Sequence, residues 1–145
     1  QDNYLEELQL ARLSRAKLAK FVHTPFFSKT VVGAFVRIGV GPMPGRPGCN
    51  YRIAQIVDVV ETRKVYKLED TITNKGIKLR MGTEDRVYRM EFVTNTEFVH
   101  YEFQDWLTIM KRHNLPIPPI DEIRKKQEDI TAAENHTYTD DDVSV

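Results

Sequence analysis

The chain has 145 residues, of which 41% are hydrophobic and 29% charged. These are values of an ordinary folded protein with one domain, and they exclude collagen, wholesale disorder and a coiled-coil rod. No stretch approaches the roughly 18 apolar residues of a membrane span. The lone Cys49 excludes an internal disulfide and a cysteine-based zinc site, which is typical of a reducing compartment, the cytosol or the nucleus.

The formal net charge of zero conceals an uneven distribution of charge along the chain. Residues 12–89 carry 16 Lys and Arg against 6 Asp and Glu, whereas residues 90–145 carry 5 against 12. A basic centre flanked by acidic segments favours a module that binds a polyanion. An equally good interpretation of the charges alone is that they keep a small β-rich module in solution.

In chain order, the first predicted element is a helix over residues 3–20, where apolar residues recur at helical spacing without Gly or Pro. After Pro25 the pattern changes to Val, Ile, Phe and Tyr runs separated by turn residues, which predicts strands over 31–40, 51–60, 64–68, 76–79 and 86–93. The segment 41–48 holds three Pro and three Gly and predicts an exposed turn. Five short strands in 31–93 favour a small barrel or a strongly curved sheet.

Helical spacing returns after residue 93. Thr94 and Glu97 have the spacing of a capping box, and Val99, Phe103, Trp106 and Met110 then form one apolar stripe. The prolines at 116, 118 and 119 end this helix, and a further helix is predicted from there to about residue 133. We therefore expect a single domain over 1–134, with helices over 95–134, and a loosely held acidic tail over 135–145.

The sequence contains none of the usual catalytic or cofactor motifs. No serine lies in a G-x-S-x-G elbow, the glycines do not form G-x-G-x-x-G, and the four histidines are too scattered for metal-ligand spacing. We interpret the chain as a binding protein without cofactor or metal, and not as an enzyme.

Arginines on a β-rich scaffold are the chemistry that is present. Arg12 and Arg15 share a helix face, Arg37 lies in the first predicted strand, and Arg52 follows Tyr51 in the second. Two or three converging guanidinium groups can bind a phosphorylated side chain in a peptide, with aromatic rings beside the phosphate. The simpler alternative is that each arginine pairs with an acid on the helices and each aromatic ring belongs to the core.

A second basic patch lies further along the chain, interleaved with Tyr66 and Tyr88. Basic strands that carry aromatic rings are a usual basis for binding single-stranded DNA or RNA, because charge holds the phosphates and rings stack on the bases. A methyl-lysine reader is a third alternative, which the basic surplus disfavours because an aromatic cage needs few positive charges nearby. The candidate nucleic-acid residues are Lys64, Lys67, Lys75, Lys78 and Arg80.

Ordered sequence identities then identify a family. From about residue 5 to residue 133 the chain closely resembles the Plus-three domain of the Rtf subunit of the polymerase-associated factor (Paf) complex. The turn at 41–48 is where the chain departs most from that family. The runs that carry the resemblance are Arg12-Leu13-Ser14-Arg15, His23-x-Pro25-Phe26-Phe27, Phe35-Val36-Arg37-Ile38-Gly39, Val59-Val60-Glu61-Thr62, Thr73-Asn74-Lys75-Gly76 and Glu91-Phe92-Val93.

The resemblance implies an α+β fold, in which N- and C-terminal helices pack on a Tudor-like β-barrel with an inserted β-hairpin region. It implies a nuclear domain that reads the phosphorylated C-terminal repeats of the large subunit of the elongation factor DSIF, and we expect the domain to be monomeric. The Paf complex would thereby be recruited to elongating RNA polymerase II, and other Paf subunits would bind outside this domain. Single-stranded DNA is a further partner that the family implies.

The resemblance also assigns roles to residues of the phosphopeptide site. Arg15 and Arg37 would contact the phosphate, with Arg52 and Tyr51 nearby, and Phe92 would support the peptide.

Overall fold

The computed structural model describes the backbone of residues 3–143 and the side chains of residues 3–136. Three short helices come first: α1 (Tyr4–Leu10), α2 (Arg15–Phe21) and α3 (Phe27–Val31). Four strands follow: β1 (Phe35–Gly39), β2 (Tyr51–Leu68), β3 (Thr71–Met81) and β4 (Glu84–Arg89). A 3₁₀ turn (Met90–Phe92) leads to α4 (His100–Arg112) and α5 (Ile120–Val143).

The N-terminal helix predicted over 3–20 is divided into α1 and α2. Between them the backbone of Ala11 and Leu13 bonds to β1, since Leu13 N–H donates to the Phe35 carbonyl (2.8 Å) and Phe35 N–H to the Ala11 carbonyl (2.9 Å). The Ser14 hydroxyl then caps α2 by accepting from the Lys17 amide (3.1 Å). Strand-like pairing with β1 therefore replaces helical hydrogen bonds at this point.

The strands form one antiparallel sheet in the order β1-β2-β3-β4. Phe35 pairs with Gln55 in the first ladder, and Ile77 pairs with Tyr88 in the last. The α+β class is confirmed, but the sheet is open rather than a closed Tudor-like barrel. After β4 the chain returns beside β1 through a single bridge between Ile38 and Val93, and not through a continuous ladder.

Two of the predicted strands, 51–60 and 64–68, are parts of the single strand β2. Its pairing with β3 shifts between Glu61 and Tyr66, so the intervening residues bulge out of the ladder. The bulge lies over Gly76, where a Cβ atom would come 2.9 Å from the Thr62 methyl group and 3.2 Å from the Tyr88 carbonyl oxygen. A glycine is needed at position 76 because the bulge occupies the space of a side chain.

Helices cover both faces of the sheet and enclose two clusters of buried side chains. The larger cluster joins α2 and α3 to the strands, and includes the fully buried Phe21, Ile56 and Leu79. The smaller cluster joins α1, α4 and α5 to the first two strands. Its members are Tyr4, Leu8, Ala11, Phe35, Ile53, Phe98, Phe103, Trp106 and Ile123.

The last two helices differ from their predicted bounds. α4 begins at His100 and not near Thr94, because the Thr94 and Thr96 hydroxyls bond to each other. The carboxylate that accepts from the amide before the helix is that of Glu102 and not that of Glu97. The donor is the Val99 amide (3.1 Å). α5 extends beyond residue 133. For the acidic tail predicted over 135–145, the structure describes the side chains only up to residue 136. That this tail is loosely held stays a prediction.

Candidate functional site

An open cleft of about 400 Å³ lies where the start of α2, the end of β1 and the 3₁₀ turn meet. The 41–48 turn contributes Gly41 to the lining, and Cys49 and Asn50, which also line it, follow the turn directly. Three of the residues predicted for the phosphopeptide site line it together: Arg15, Tyr51 and Phe92. The other lining residues are Gly39, Gly41, Cys49, Asn50, Glu91, Val93 and Thr94.

Arg15 is the first residue of α2 and supplies the positive charge of the cleft. Its Nε donates to Glu69 Oε2 (2.5 Å) and its Nη1 to the Val93 carbonyl (2.9 Å). The hydrogen bond from Arg15 holds the pKa of Glu69 below its usual range. These two hydrogen bonds fix the direction of the guanidinium. The side chain is 33% exposed, so an anion can still reach it.

Two aromatic rings stand on the same cleft. Phe92 is 49% exposed, although a phenylalanine normally lies in the core. Tyr51 is half-buried, and its ring has the Arg37 guanidinium 4.1 Å from its centroid. The rings offer apolar surface to a peptide beside the position that Arg15 offers to a phosphate.

Arg37 does not line the cleft. Its Nε and Nη2 grip the Glu102 carboxylate at 2.7 to 3.0 Å, and its Nη1 donates to Thr96 Oγ1 (2.9 Å). Glu102 is 1% exposed and Arg37 14% exposed. All three guanidinium nitrogens of Arg37 therefore donate hydrogen bonds within the fold. Arg37 contacts the cleft indirectly, because its guanidinium lies over the ring of Tyr51, which lines the cleft.

Arg12 and Arg52 also lie outside the lining of the cleft. Arg52 shares a cavity of about 20 Å³ with Arg80 and Trp106, and burial lowers its pKa. Burial likewise lowers the pKa of Arg12, and the negative charge of the nearby Glu97 carboxylate opposes this lowering. The four arginines that the sequence suggested as a cluster thus contribute one group to the cleft.

The proline-rich turn at 41–48 is held in place by polar side chains. The buried Asn50 amide donates to the carbonyls of Gly41 (2.9 Å) and Arg46 (2.7 Å). Arg46 pairs with Asp105 of α4 (2.7 Å) and lies over the Tyr101 ring. These contacts fix the turn in which the chain departs from the family pattern, and Gly41 at the start of the turn lines the cleft.

Sequence reasoning missed three residues that hold the cleft or the predicted arginines in place: Asn50, Glu69 and Glu102. Glu69 carries no local signal, because its partner Arg15 is 54 positions away. Asn50 bonds to the turn directly before it, so an asparagine at the end of a Pro- and Gly-rich segment was the signal that could have identified it. Glu102 had a weak signal, since it stands three residues after the position that precedes α4 and can cap that helix.

The predicted nucleic-acid residues do not share one environment. Lys64 and Lys67 are exposed, and no ion pair involves them among the described residues. Lys75 donates to the Val22 carbonyl (2.9 Å), and Arg80 pairs with Asp85 (3.3 Å). Lys78 is half-buried in β3.

Two other features are absent from the described residues. In that part of the chain, no group of three or more His, Cys, Asp or Glu side chains could hold a metal ion. None of its helices is long and apolar enough to cross a membrane.

Comparison with known proteins gives the family. The model of the Plus-3 domain matches residues 7–111. The RNA polymerase-associated protein RTF1 homolog of Caenorhabditis elegans is 49% identical over 141 residues, which are 97% of this chain and 23% of that protein. The protein RTF1 homolog of Arabidopsis thaliana is 30% identical over 138 residues, which are 92% of this chain and 21% of that protein. The chain spans about a quarter of the length of these relatives, and it belongs to the Plus-3 domain family.

Proposed function

We propose that this Plus-3 domain is a binding module, and not an enzyme, that reads phosphorylated peptides of the transcription elongation machinery. The target is the phosphorylated C-terminal repeat of the large subunit of DSIF. Binding recruits the Paf complex to elongating RNA polymerase II in the nucleus. The Caenorhabditis elegans relative, which is named as an RNA polymerase-associated protein, supports a role in transcription.

One observation carries this proposal: a fixed and accessible guanidinium and two aromatic rings line the same open cleft. Arg15 gives the charge-assisted hydrogen bonds that a phosphate requires, while Tyr51 and Phe92 take apolar side chains of the peptide. The Arg37 guanidinium packs on the ring of Tyr51, and Arg52 lines a different cavity, so neither is proposed as a direct phosphate ligand.

The test is a calorimetric titration with matched phosphorylated and unphosphorylated repeat peptides. We expect the unmodified protein to prefer the phosphorylated peptide, and Arg15→Ala to weaken that binding by about 1.5 to 3 kcal/mol, because a charge-assisted contact is lost. Lys17→Ala, in the same helix but outside the cleft, is the matched control. Equal affinity for the two peptides would contradict the proposal.

Single-stranded DNA enters the same experiment as a competitor. The candidate residues Lys64, Lys67, Lys75, Lys78 and Arg80 lie outside the cleft lining, so DNA held by them should not displace the phosphopeptide. Displacement would mean that the cleft itself binds polyanions without regard to peptide.

A further inference from the structure

Helices cover the two faces of the sheet to different extents. Successive side chains of a strand point to opposite faces, and in β2 Ala54 belongs to the larger buried cluster whereas Ile53 belongs to the smaller one beneath α4. The larger cluster extends along β2 to Tyr66 and Leu68 near the β2–β3 turn. The smaller cluster contains no described residue of β3 or β4. We call the face beneath α4 the outer face, and it is uncovered from the bulge of β2 to the β2–β3 turn.

Exposed aliphatic side chains lie on this uncovered part of the outer face. The three most exposed large hydrophobic residues in the described part of the chain are Val65 (65%), Ile72 (61%) and Val87 (52%). Val65 precedes the buried Tyr66, and Val87 precedes Tyr88, which packs against the larger cluster. The residue after Ile72 is buried as well. All three aliphatic side chains therefore point away from the larger cluster, to the outer face.

A groove of about 550 Å³ lies on the outer face above β3. Residues 61–64 of the β2 bulge line one side of it, and Val87 lies on the β4 side. Between them a Cβ atom on Gly76 would come 2.9 Å from the Thr62 methyl group and 3.4 Å from a Val87 methyl group. The floor of the groove is therefore aliphatic, and Val65 follows the bulge directly. Apolar side chains of a partner can pack along this surface.

Unneutralised cations border the same surface. Glu61, the acid among the groove residues, accepts a hydrogen bond from Asn74 (3.1 Å), and Arg89 pairs with Glu91 (2.9 Å). Three further cations are exposed and take part in no ion pair among the described side chains: Arg63, Lys64 and Lys67. The surface around the bulge and the β2–β3 turn thus has a surplus of positive charge.

The acids of the outer face lie towards its other end. Asp85 pairs with Arg80 (3.3 Å), and Asp58 lies opposite Lys78 in the ladder. Both acids are nearer to the β3–β4 turn than to the β2–β3 turn. An acidic partner is therefore attracted to the bulge and the β2–β3 turn and is repelled beside Asp85.

We propose that the outer face of the β2–β3 hairpin docks an acidic segment of another protein that carries spaced apolar side chains. Its apolar side chains cover Val65 and Ile72 and enter the groove against Val87. Its carboxylates face the three free cations. From Ile72 to Lys78, β3 extends about 20 Å, which sets the length of the docked segment.

A nucleic acid fits this surface less well, although it would satisfy the cations. The rings that the sequence suggested for stacking on bases belong to the opposite face. Tyr66 is 6% exposed, its hydroxyl donates to the Lys75 carbonyl and accepts from the Met90 amide (3.0 Å), and Tyr88 packs against the larger cluster. Bases bind to single-strand sites largely by stacking on aromatic rings, whereas exposed valine and isoleucine pack with aliphatic side chains.

A second copy of the chain is also a poorer occupant. Two outer faces in contact would bring the same free cations together, and the like charges oppose such a dimer. The proposed surface shares no lining residue with the cleft at Arg15.

The probe for this site is a synthetic peptide in which two leucines are separated and flanked by glutamates. One matched version carries serine for leucine, and the other carries glutamine for glutamate. We expect the first peptide to shift the methyl resonances of Val65, Ile72 and Val87 in an NMR titration, and each matched version to bind about tenfold more weakly or less. Unshifted methyl resonances at about 1 mM peptide, or equal binding by either matched version, would overturn the proposal.

Charge variants separate the free cations from charge elsewhere. Arg63→Gln with Lys64→Gln should weaken the leucine-glutamate peptide by about tenfold. Arg112→Gln with Lys111→Gln removes the same two residue types from exposed positions of α4 outside the groove, and should leave binding unchanged. Equal losses in the two double variants would mean that overall charge holds the peptide and would reject the site.

Aliphatic variants separate a protein partner from a general polyanion. Val65→Thr with Ile72→Thr keeps β-branched side chains in the strands and should also weaken the peptide severalfold, whereas Val99→Thr, at an exposed position before α4, should not. Unchanged binding by the first variant would contradict the proposal. A single-stranded oligothymidylate that shifts the same methyl resonances at lower concentration than the peptide would identify a nucleic acid as the occupant, and shifts that depend on protein concentration alone would identify a second copy. Either result would overturn the proposal.

Discussion

Arg15 and Glu69 form an ion pair at the cleft, and both side chains are about one-third exposed. A phosphate that binds Arg15 must compete with this carboxylate and is repelled by it. Exchange of Glu69 for a neutral residue should therefore favour the phosphopeptide.

We expect Glu69→Gln to tighten phosphopeptide binding by roughly two- to fivefold, because an exposed ion pair contributes about 0.2 to 1 kcal/mol. Calorimetric titration measures the change. Glu134→Gln, which removes the partner of Lys17 elsewhere on α2, should have no such effect. Weaker binding by Glu69→Gln would show that the carboxylate orients Arg15 for phosphate and does not compete with it.

The buried ion pair of Arg37 and Glu102 is predicted to contribute mainly to the unfolding free energy of the domain. Removal of one partner leaves the other buried and uncompensated, so Glu102→Ala should cost about 3 to 5 kcal/mol of unfolding free energy, and Arg37→Ala should also destabilise. The double variant Arg37→Leu with Glu102→Leu should cost less than the sum of the single changes. Chemical denaturation measures these values, and additive losses would mean that the two side chains are not coupled.

At the scale of elements, aromatic rings hold α4 to β1 and α1: Trp106 meets Phe35 edge-to-face and stacks with Tyr4. Trp106 is 8% exposed, and its ring centroid lies about 6 Å from those of Tyr4, Phe35 and Phe103. Trp106→Ala should cost about 3 to 5 kcal/mol of unfolding free energy, because burial is lost and a cavity remains. Gln104→Ala, on the exposed side of α4, is the control, and a loss below about 1 kcal/mol for Trp106→Ala would contradict this packing.

At the scale of the whole molecule, polar contacts join the first and last helices. Glu7 of α1 pairs with Arg124 of α5 (2.9 Å), and the Tyr4 hydroxyl donates to the Pro118 carbonyl (2.5 Å). The hydrogen bond from Arg124 lowers the pKa of Glu7, whereas burial, aided by the charge of Glu122, raises the pKa of Tyr4 to about 12. The two groups therefore limit stability at opposite ends of the pH scale.

We expect the unfolding free energy to fall as pH drops below about 4.5, because the unfolded chain then binds protons that Glu7 and Glu69 resist in the folded chain. It should also fall as pH rises from 10 towards 12, where unfolded tyrosine ionises and folded Tyr4 does not. Denaturation across pH measures both limbs. Glu7→Gln should flatten the acid limb and Tyr4→Phe the alkaline limb, and unchanged slopes would contradict these assignments.

Much of the fold could be predicted from local patterns. The apolar stripe with Phe103 and Trp106 packs on the sheet as expected, because the spacing of a helix determines which side chains share a face. The membership in the Plus-3 family also followed from the sequence, whereas the order of the strands in an open sheet was decided by the tertiary structure. Arg15, Tyr51 and Phe92 were found as site candidates, and the structure brings these three together.

Only the tertiary structure decided which charges are available to a partner. Glu69 and Glu102 pair with arginines 54 and 65 positions away, and spacing along the chain contains no record of such contacts. The acidic excess of the second half thus neutralises part of the basic centre from within, at Arg37 and Arg46. The sequence by itself determined which side chains could bind a phosphate, but the fold left one guanidinium facing the cleft. Arg37 is held inside the protein because the buried Glu102 carboxylate needs a cationic partner, and Arg12 and Arg52 are desolvated elsewhere in the fold.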